Sequence, residues 1–335
     1  ELTAVCDINT AALEWAREKF PGIKTFETSD TLLESGAADA IIIATPHYDH
    51  PTISIAALEK NIHVMVEKPA GVYTKAVIEM NAVAAKSSAV FAIMYNQRTN
   101  PIYRKMREMV QNGEIGAIKR TSWLITDWYR SQAYYNGGGW RATWKGEGGG
   151  VLINQCPHNL DLWQWICGMP KKVTAFAHNG KWHDIEVEDD ITAYVEYENG
   201  ATGIFVTCTA DCPGNNRFEI LGDLGKLICE NDTLVFHKLA VSEREFNRTN
   251  TEMFAAPAVE KIIIPCPGDY SQHPGVLAAF VAKINGTGEL FANGEEGING
   301  LTISNAIYLS SWLQKTIELP LNEDLFLDEL KKRWK

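Results

Sequence analysis

The sequence lacks the features that mark membrane-spanning and nucleic-acid-binding proteins. No apolar run among its 335 residues approaches the roughly 18–20 residues that span a bilayer. Acidic residues outnumber basic ones, with 42 Asp and Glu against 31 Lys and Arg, and the formal net charge is −11. Binding to a phosphate backbone needs clustered Lys and Arg. We therefore expect neither a nucleic-acid partner nor a membrane partner.

Cysteine is sparse, and its arrangement argues against covalent or metal cross-links. The seven cysteines are an odd number, are scattered along the chain and form no C-x-x-C pair. Cys156 and His158, taken with His47 or His50, match no standard ligand spacing, so no metal site is assigned. A disulfide framework is not expected either, and a reducing cytoplasm fits this cysteine usage best.

One acidic cluster stands out, the segment D-I-E-V-E-D-D at residues 184–190. Charged side chains are rarely buried without a partner. The simplest interpretation is a solvated strand edge or turn.

The first part of the chain alternates between strand-like and helix-like segments. Apolar runs at 2–7, 39–45, 63–68 and 90–95 predict strands, and the segments 11–19, 51–61 and 74–86 predict helices. Alternation at this spacing is typical of βαβ units, and it predicts a doubly wound α/β fold with a parallel sheet.

After Arg98 the pattern changes to that of an α+β domain. The predicted helices cover 101–112, 150–167, 273–285 and 295–315. The predicted strands cover 117–128, 171–178, 190–198, 201–209, 216–222, 225–230, 233–238 and 260–264. Hairpin turns such as Asn199-Gly200 predict a large, mostly antiparallel sheet. We place a dinucleotide-binding domain at 1–97 and a substrate-binding and oligomerisation domain at 98–335.

Asp7 ends the first predicted strand, where a doubly wound sheet commonly places the acid that binds the adenosine ribose. No Arg follows closely to accept a 2′-phosphate, so NAD is favoured over NADP. The alternative is that Asp7 only caps the following helix.

The glycine-rich turn G-x-G-x-x-G of dinucleotide-binding folds is absent. In such folds it joins the first strand, which is central in the sheet, to the first helix. A sheet without that strand would expose two strand edges in its middle. We therefore predict that the sequence lacks a first βα unit of roughly 25–35 residues.

Three motifs carry a family resemblance in order and spacing. They are T-P-H-Y-D-H at 45–50, E-K-P at 67–69 and G-G-G-V-L-I-N-Q-C-P-H at 148–158. The chain resembles the glucose–fructose oxidoreductase/inositol dehydrogenase (Gfo/Idh/MocA) family. The resemblance implies a Rossmann-type domain, NAD as cofactor and hydride transfer on a sugar or polyol.

The resemblance also implies catalytic residues. Lys68 matches the active-site lysine, which can stabilise a developing alkoxide, and His158 matches the acid/base. Asn154 stands where many relatives carry Asp. An amide can orient a hydroxyl or the imidazole but cannot take a proton, which puts a proton relay through this position in doubt. Asp161 could orient His158 or form a plain helix salt bridge.

Residues of the same motifs are expected around NAD. Thr45 and Pro46 would shape the turn that the cofactor approaches, while His50 and Glu67 would lie on the nicotinamide side together with Lys68. His50 could instead cap the following helix. Three further positions match the family and complete the expected cofactor contacts: Asn96, Trp140 and Arg141.

The aromatic segment 127–136 suits a sugar ring, because aromatic faces stack on C–H faces while polar groups bind hydroxyls. Core or interface packing is the alternative. The expected substrate contacts are Lys68, Arg98, Asp127, Tyr129, Tyr135, Asn154 and His158.

The favoured activity is NAD-dependent oxidation of a secondary ring hydroxyl of a sugar or glycoside, with C3 as the preferred carbon. Inositol oxidation and redox-neutral glycoside cleavage with NAD remain open. A non-catalytic sensor of NAD or a sugar is the alternative from another class. The second-domain sheet predicts a homo-oligomer, whether dimer, tetramer or larger.

Overall fold

The computed structural model describes residues 1–334. Its first part alternates strand and helix as predicted. The elements are β1 (Ala4–Cys6), α1 (Thr10–Lys19), β2 (Lys24–Phe26), α2 (Ser29–Glu34), β3 (Ala40–Ile43), α3 (Asp49–Glu59), β4 (His63–Val66), α4 (Thr74–Ala84) and β5 (Phe91–Ile93). The sequence analysis missed β2 and α2, whose apolar content is low.

All strands of this part are parallel, and they form two separate sheets within the described residues. One sheet contains β1 and β2, and the other has the order β3-β4-β5. β1 and β3 each keep one edge without a strand neighbour within residues 1–334. The prediction of a further central βα unit stays a prediction.

A 3₁₀ turn (Asn96–Thr99) leads into the second part. Its elements are α5 (Pro101–Gln111), β6 (Ile118–Ile125), α6 (Gln132–Tyr135), α7 (Val151–Asn154), α8 (Pro157–Cys167), β7 (Lys172–Asn179), β8 (Glu188–Glu196), β9 (Thr202–Cys208), β10 (Asn216–Gly222), β11 (Gly225–Glu230), β12 (Thr233–Leu239), α9 (Glu243–Thr249), β13 (Val259–Ile264), α10 (Gln272–Ile284), α11 (Gly297–Leu313), β14 (Ile317–Glu318) and α12 (Glu323–Lys331).

Nine strands of this part form one sheet in the order β13-β12-β11-β10-β6-β9-β8-β7-β14. Every neighbouring pair is antiparallel except β6 and β9. The predicted Asn199-Gly200 turn joins β8 to β9, and Gly200 has the positive φ of 81° that such a turn requires. The fold class predicted from the sequence is confirmed.

The predicted helix over 150–167 is in fact two helices. Pro157 has no N–H to donate and crowds the preceding turn, so α7 ends at Asn154 and α8 begins at Pro157. The prediction was also wrong at the end of the chain, where α12 follows the two expected late helices. The short elements α9 and β14 were missed as well.

The acidic segment 184–190 corrects a second expectation. Glu188 and Asp189 are completely buried rather than solvated. Asp189 accepts the backbone N–H groups of Lys181, Trp182 and His183, and the Nδ1 of His183 lies 2.9 Å from its Oδ2. Burial is tolerated because each carboxylate has several donors.

The two parts are joined by α11, which packs on both α4 and β7. At this junction Asn305 is buried and accepts the backbone N–H of Thr74, while its amide donates to the carbonyl of Val72. All seven cysteines are free. No helix within residues 1–334 has the length and apolarity needed to cross a membrane.

Candidate active site

The carboxyl ends of the parallel strands meet at one edge, where a doubly wound sheet presents ligand groups. Thr45 and Pro46 follow β3 and are exposed, and Lys68 follows β4. Asn96 begins the turn that follows β5. The predicted residues from three strands are therefore brought together by topology alone.

Lys68 reaches from this edge to the second domain. Its Nζ donates to the carbonyl oxygen of Asn154 at 2.7 Å, at the end of α7. Burial lowers the pKa of the Lys68 ammonium, while the nearby carboxylates of Glu67 and Glu147 oppose that shift. A buried ammonium of this kind can donate to a reacting oxygen.

His158 lies in the first turn of α8. Burial lowers the pKa of its imidazole to about 3, and the charges of Lys68 and His273 act in the same direction. Its Nδ1 is buried and has no hydrogen-bond partner within residues 1–334. The ring is thus neutral at physiological pH and able to accept a proton.

The three glycines before α7 let the chain pass through a crowded region. Gly148 has a φ of +90°, and a Cβ on it would lie 2.3 Å from the side chain of Val72. A Cβ on Gly149, with a φ of +152°, would lie 2.2 Å from the Tyr308 hydroxyl. These contacts explain why glycine is needed to bring α7 against the first domain.

Glu188 holds the start of α7. Its carboxylate accepts the N–H groups of Gly150 and Leu152 at 2.8 and 3.0 Å, and the hydroxyl of Tyr308 at 2.8 Å. Burial raises the pKa of Glu188 to about 7 despite these donors. The sequence analysis missed this role, because a carboxylate on a distant strand gives no local capping pattern.

Glu147 is a second residue that sequence reasoning missed. The side chain is 2% exposed. It accepts the amide of Asn154 and the backbone N–H of Ala142, and Arg141 lies 3.7 Å away. Its place directly before the three glycines is the only signal that could have identified it.

The aromatic segment 127–136 and the residues that follow it to Arg141, together called the aromatic loop, approach Glu147 through Arg141. The hydroxyl of Tyr134 accepts from Arg141 at 2.6 Å, and the Arg141 guanidinium lies over the rings of Tyr134 and Trp140. Arg130 lies over Tyr134 as well. Tyr129 is 51% exposed and projects from the loop. Arg141, whose Nη1 lies 3.7 Å from Glu147, connects these aromatic rings to the site.

Two predicted substrate residues are placed elsewhere. Tyr135 is buried, donates its hydroxyl to Thr209 and packs against the ring of His183. Arg98 is 1% exposed and is bound by Asp161 and Glu296. Both support the surrounding structure, because their polar atoms are already engaged. Asp161 therefore pairs with Arg98, a residue outside its own helix, and not with His158.

The structure also corrects His50. Its ring nitrogens lie 2.7 and 2.9 Å from the carbonyl oxygens of Pro69 and Thr45, and the residue is 1% exposed. This excludes direct contact with a cofactor, and the ring does not cap α3 either. His50 instead braces the loop after β3 against the loop after β4.

His273 is a further residue near His158 that the sequence analysis did not select. It stands at the start of α10 and is exposed, and its Nδ1 lies 3.3 Å from the Nδ2 of Asn96. The Oδ1 of Asn96 is buried without a partner among the described residues. This corner therefore offers unused polar atoms close to His158.

Two candidates remain, Asp7 for the cofactor and Asp127 for the substrate, and both roles stay predictions. Asp7 is exposed at the end of β1, and its Oδ1 accepts the N–H of Asn9, which leaves the second carboxylate oxygen available. Asp127 follows β6, and burial raises its pKa while Asn216 donates to it. The described residues contain no group of three or more His, Cys, Asp or Glu arranged to hold a metal.

Relatives of known sequence point to one family. Residues 1–95 match the model for an oxidoreductase family with an NAD-binding Rossmann fold, and residues 103–228 match the C-terminal domain model of the same family. The chain is 28% identical over 220 residues to the D-glucoside 3-dehydrogenase of Escherichia coli, a match that covers 60% of either protein. It is 24% identical over 236 residues to the myo-inositol 2-dehydrogenase of Thermotoga maritima, covering 69% of this chain and 68% of that one.

Solved structures agree. The WlbA dehydrogenase of Chromobacterium violaceum, in complex with NADH and UDP-GlcNAcA, is 28% identical with a TM-score of 0.80, covering 96% of this chain and 89% of that one. A levoglucosan dehydrogenase with NADH and levoglucosan has the same fold, at 20% identity and a TM-score of 0.76, covering 96% and 90%. The predictions of the family and of NAD as its cofactor are confirmed: this chain belongs to the Gfo/Idh/MocA family of oxidoreductases with an NAD-binding Rossmann domain.

Proposed function

We propose that this protein oxidises a secondary ring hydroxyl of a sugar or glycoside with NAD, with C3 as the reacting carbon. The observation that carries the proposal is that the Lys68 ammonium binds the carbonyl oxygen of Asn154, four residues before His158, and lies close enough to act on the His158 imidazole. Lys68 lies at the end of a Rossmann strand, and its charge lowers the pKa of the His158 imidazole. A cation and a neutral base side by side are what alcohol oxidation needs.

The chemistry divides between these two residues. When bound, NAD would supply the acceptor for the hydride, which carries the electron pair of the carbinol C–H bond. His158 accepts the hydroxyl proton as the C–H bond breaks. The Lys68 ammonium donates to the same oxygen and stabilises its negative charge. In the reverse direction His158 returns the proton to the carbonyl oxygen.

The aromatic loop supports a ring-shaped polar substrate. Trp140 is 37% exposed and Tyr129 more so, which leaves flat faces for the C–H side of a sugar. Asp127 and the amide of Asn154 supply acceptors and donors for hydroxyls. The choice of C3 rests on the similarity to the D-glucoside 3-dehydrogenase.

The first experiment follows absorbance at the NADH maximum while hexoses, alkyl glucosides, nucleotide sugars and inositols are added to protein and NAD. Net NADH with glucosides, and a product that carries a 3-keto group by NMR, is the expected result. NADH formation with inositols alone would replace the proposed substrate class. Glycoside cleavage without net NADH would identify a redox-neutral glycosidase, and bound ligand without any turnover would identify a sensor.

We also propose self-association through the nine-stranded sheet. Its outer face carries neighbouring apolar side chains, because Tyr194 pairs with Ile204, and Leu124 lies on the adjacent strand. These three side chains are 39–40% exposed. Apolar patches of this kind commonly mark interfaces. Light scattering that gives a monomer would contradict this proposal.

A further inference from the structure

Glu147 connects the residues assigned to catalysis without being one of them. Its two carboxylate oxygens are divided between two donors, the side-chain amide of Asn154 and the backbone N–H of Ala142. Its own carbonyl oxygen lies 3.0 Å from the Nδ1 of His47, which must donate to it. The two donors, Asn154 and Ala142, therefore fix the orientation of the Glu147 carboxylate, and His47 binds its backbone carbonyl.

The charges around Glu147 are mostly positive. Arg141 is its nearest cation at 3.7 Å, and Lys68 lies close enough to act on its pKa. Tyr308 and His47 are the other titratable groups that face it. Burial raises the pKa of Glu147, while Asn154, Arg141 and Lys68 oppose the shift. The Lys68 ammonium, which is itself buried, has this carboxylate and Glu67 as its counter-charges.

Asn154 joins the two charges. Its amide nitrogen donates to Glu147, and its backbone carbonyl accepts from Lys68 at 2.7 Å. Movement or loss of the carboxylate would release the Asn154 side chain and remove negative charge from the surroundings of the ammonium. Both effects would act on Lys68 and Asn154, the two residues that the proposed function assigns to the substrate.

We propose that Glu147 is a positioning residue, which fixes the Asn154 amide and keeps the Lys68 ammonium protonated in its buried site. The proposal rests on the proposed function for its kinetic consequences. Glu147 thereby places an ionisable carboxylate beside Asn154, whose own amide cannot accept a proton.

The first test compares Glu147→Gln with the unaltered protein. We expect kcat to fall roughly ten- to hundredfold, because a displaced orienting group is costly. In a plot of kcat against pH, the apparent pKa on the basic side (the basic limb) should fall by about one unit, because the ammonium loses a nearby opposite charge. KM for NAD should not change. A purely structural role would lower thermal stability without moving the pH limb.

An exchange of the two side chains gives a rescue. In the double variant Glu147→Gln with Asn154→Asp, the new amide can donate to the new carboxylate, so the hydrogen bond and the negative charge both return. We expect the basic limb to return toward its original position. Glu252→Gln, an exposed carboxylate far along the chain, is the matched control and should leave the profile unchanged.

A second readout needs no substrate. The rate of Lys68 acetylation by acetic anhydride, measured by mass spectrometry across pH, reports the fraction of unprotonated amine. We expect its midpoint to shift down in Glu147→Gln and to stay in place in Glu147→Asp, which keeps the charge. An unchanged midpoint in Glu147→Gln overturns the proposal, whether or not the sugar oxidation is found. A shifted midpoint in a protein without turnover supports it and rejects the proposed function alone.

Discussion

Arg98 and Asp161 form a bidentate ion pair, with Nη2–Oδ1 and Nε–Oδ2 distances of 2.7 and 2.8 Å, and both side chains are 1% exposed. Arg98 follows the last Rossmann strand, while Asp161 lies one turn after His158 on α8. Glu296 accepts from Nη1 of the same guanidinium. The pair therefore attaches the helix that carries the proposed base to the turn that follows the last strand of the cofactor domain.

Loss of one partner should be far more damaging than loss of both. We expect Asp161→Leu to lower the free energy of unfolding by about 3–5 kcal/mol, because it leaves a buried charge without its partner. The double variant with Arg98→Met should lose less than either single change. Urea unfolding of the unaltered protein, the two single variants and the double variant measures these free energies of unfolding. Lys75→Ala, which breaks an exposed pair with Asp324, should cost far less, because water screens the two charges. Equal losses in the single and double variants would contradict this account.

Lys68→Ala should abolish sugar oxidation while NADH still binds. The reason is that the role proposed for the ammonium is at the substrate oxygen, whereas the residues expected to contact the dinucleotide also include Asp7 and Thr45. Steady-state kinetics and NADH fluorescence titration measure the two properties separately. Lys60→Ala, at the exposed end of α3, serves as the control. Turnover within a few-fold of the unaltered protein would remove Lys68 from the mechanism.

His158→Ala should reduce kcat roughly 10²–10⁴-fold, the usual range for a general acid or base. The pKa of its imidazole is lowered to about 3 by burial and by Lys68. The base is therefore unprotonated at and above neutral pH, and its acid limb should lie well below pH 6. Removal of the positive charge in Lys68→Ala should raise the pKa of His158, which NMR of the ring can follow. A reduction under tenfold in His158→Ala would reject the assigned role.

Glu188 should make stability depend on pH. Burial raises its pKa to about 7 in the folded protein, above its ordinary value near 4.5, so folding favours the protonated form. Its contribution is fully present below pH 4.5 and is lost as pH rises through 7. That change amounts to about 3 kcal/mol at most. Urea unfolding across this range should show the loss in the unaltered protein and not in Glu188→Gln. The same slope in both proteins would assign the effect to other groups.

Asp7→Ala should weaken NADH binding by about ten- to hundredfold, as expected for the loss of a charged hydrogen bond of ~1.5–3 kcal/mol. One carboxylate oxygen already accepts the N–H of Asn9, so a small change in the stability of α1 is also expected. Calorimetric titration separates the two effects. Asp30→Ala removes an exposed carboxylate from the next helix and should leave binding intact. Unchanged affinity in Asp7→Ala would remove Asp7 from the cofactor site; Asn9, not Asp7, caps α1.

Several predictions from the sequence succeeded because they depend on local chemistry. The β-branched run before Pro46 forms a strand, and the E-K-P motif follows directly after another. The Asn199-Gly200 pair makes a turn, since few other conformations suit these two residues. Since carboxyl ends of parallel strands share one edge, Lys68 and Thr45 could be placed near each other before any contact was known. The break between α7 and α8 was also encoded in Pro157, although the helix was predicted to continue.

Predictions that depended on distant partners failed. Arg98 was assigned to the substrate because its partner Asp161 lies 63 positions away in sequence. The segment 184–190 was expected in water because its donors, among them Gly150, belong to another part of the chain. A charged residue looks the same in sequence whether it is solvated, paired or catalytic, and burial decides among these states.

The sequence by itself determined the alternation of strand and helix in the first part, the change to a mostly antiparallel sheet in the second, and the family motifs at the strand ends. Only the tertiary structure decided which charges are neutralised and which remain for chemistry. It buried Arg98, His50 and Glu188 with partners and placed Glu147 beside Asn154. The physical reason is that helix and strand periodicity arise from neighbouring residues, whereas the protonation and reach of a side chain arise from everything packed around it.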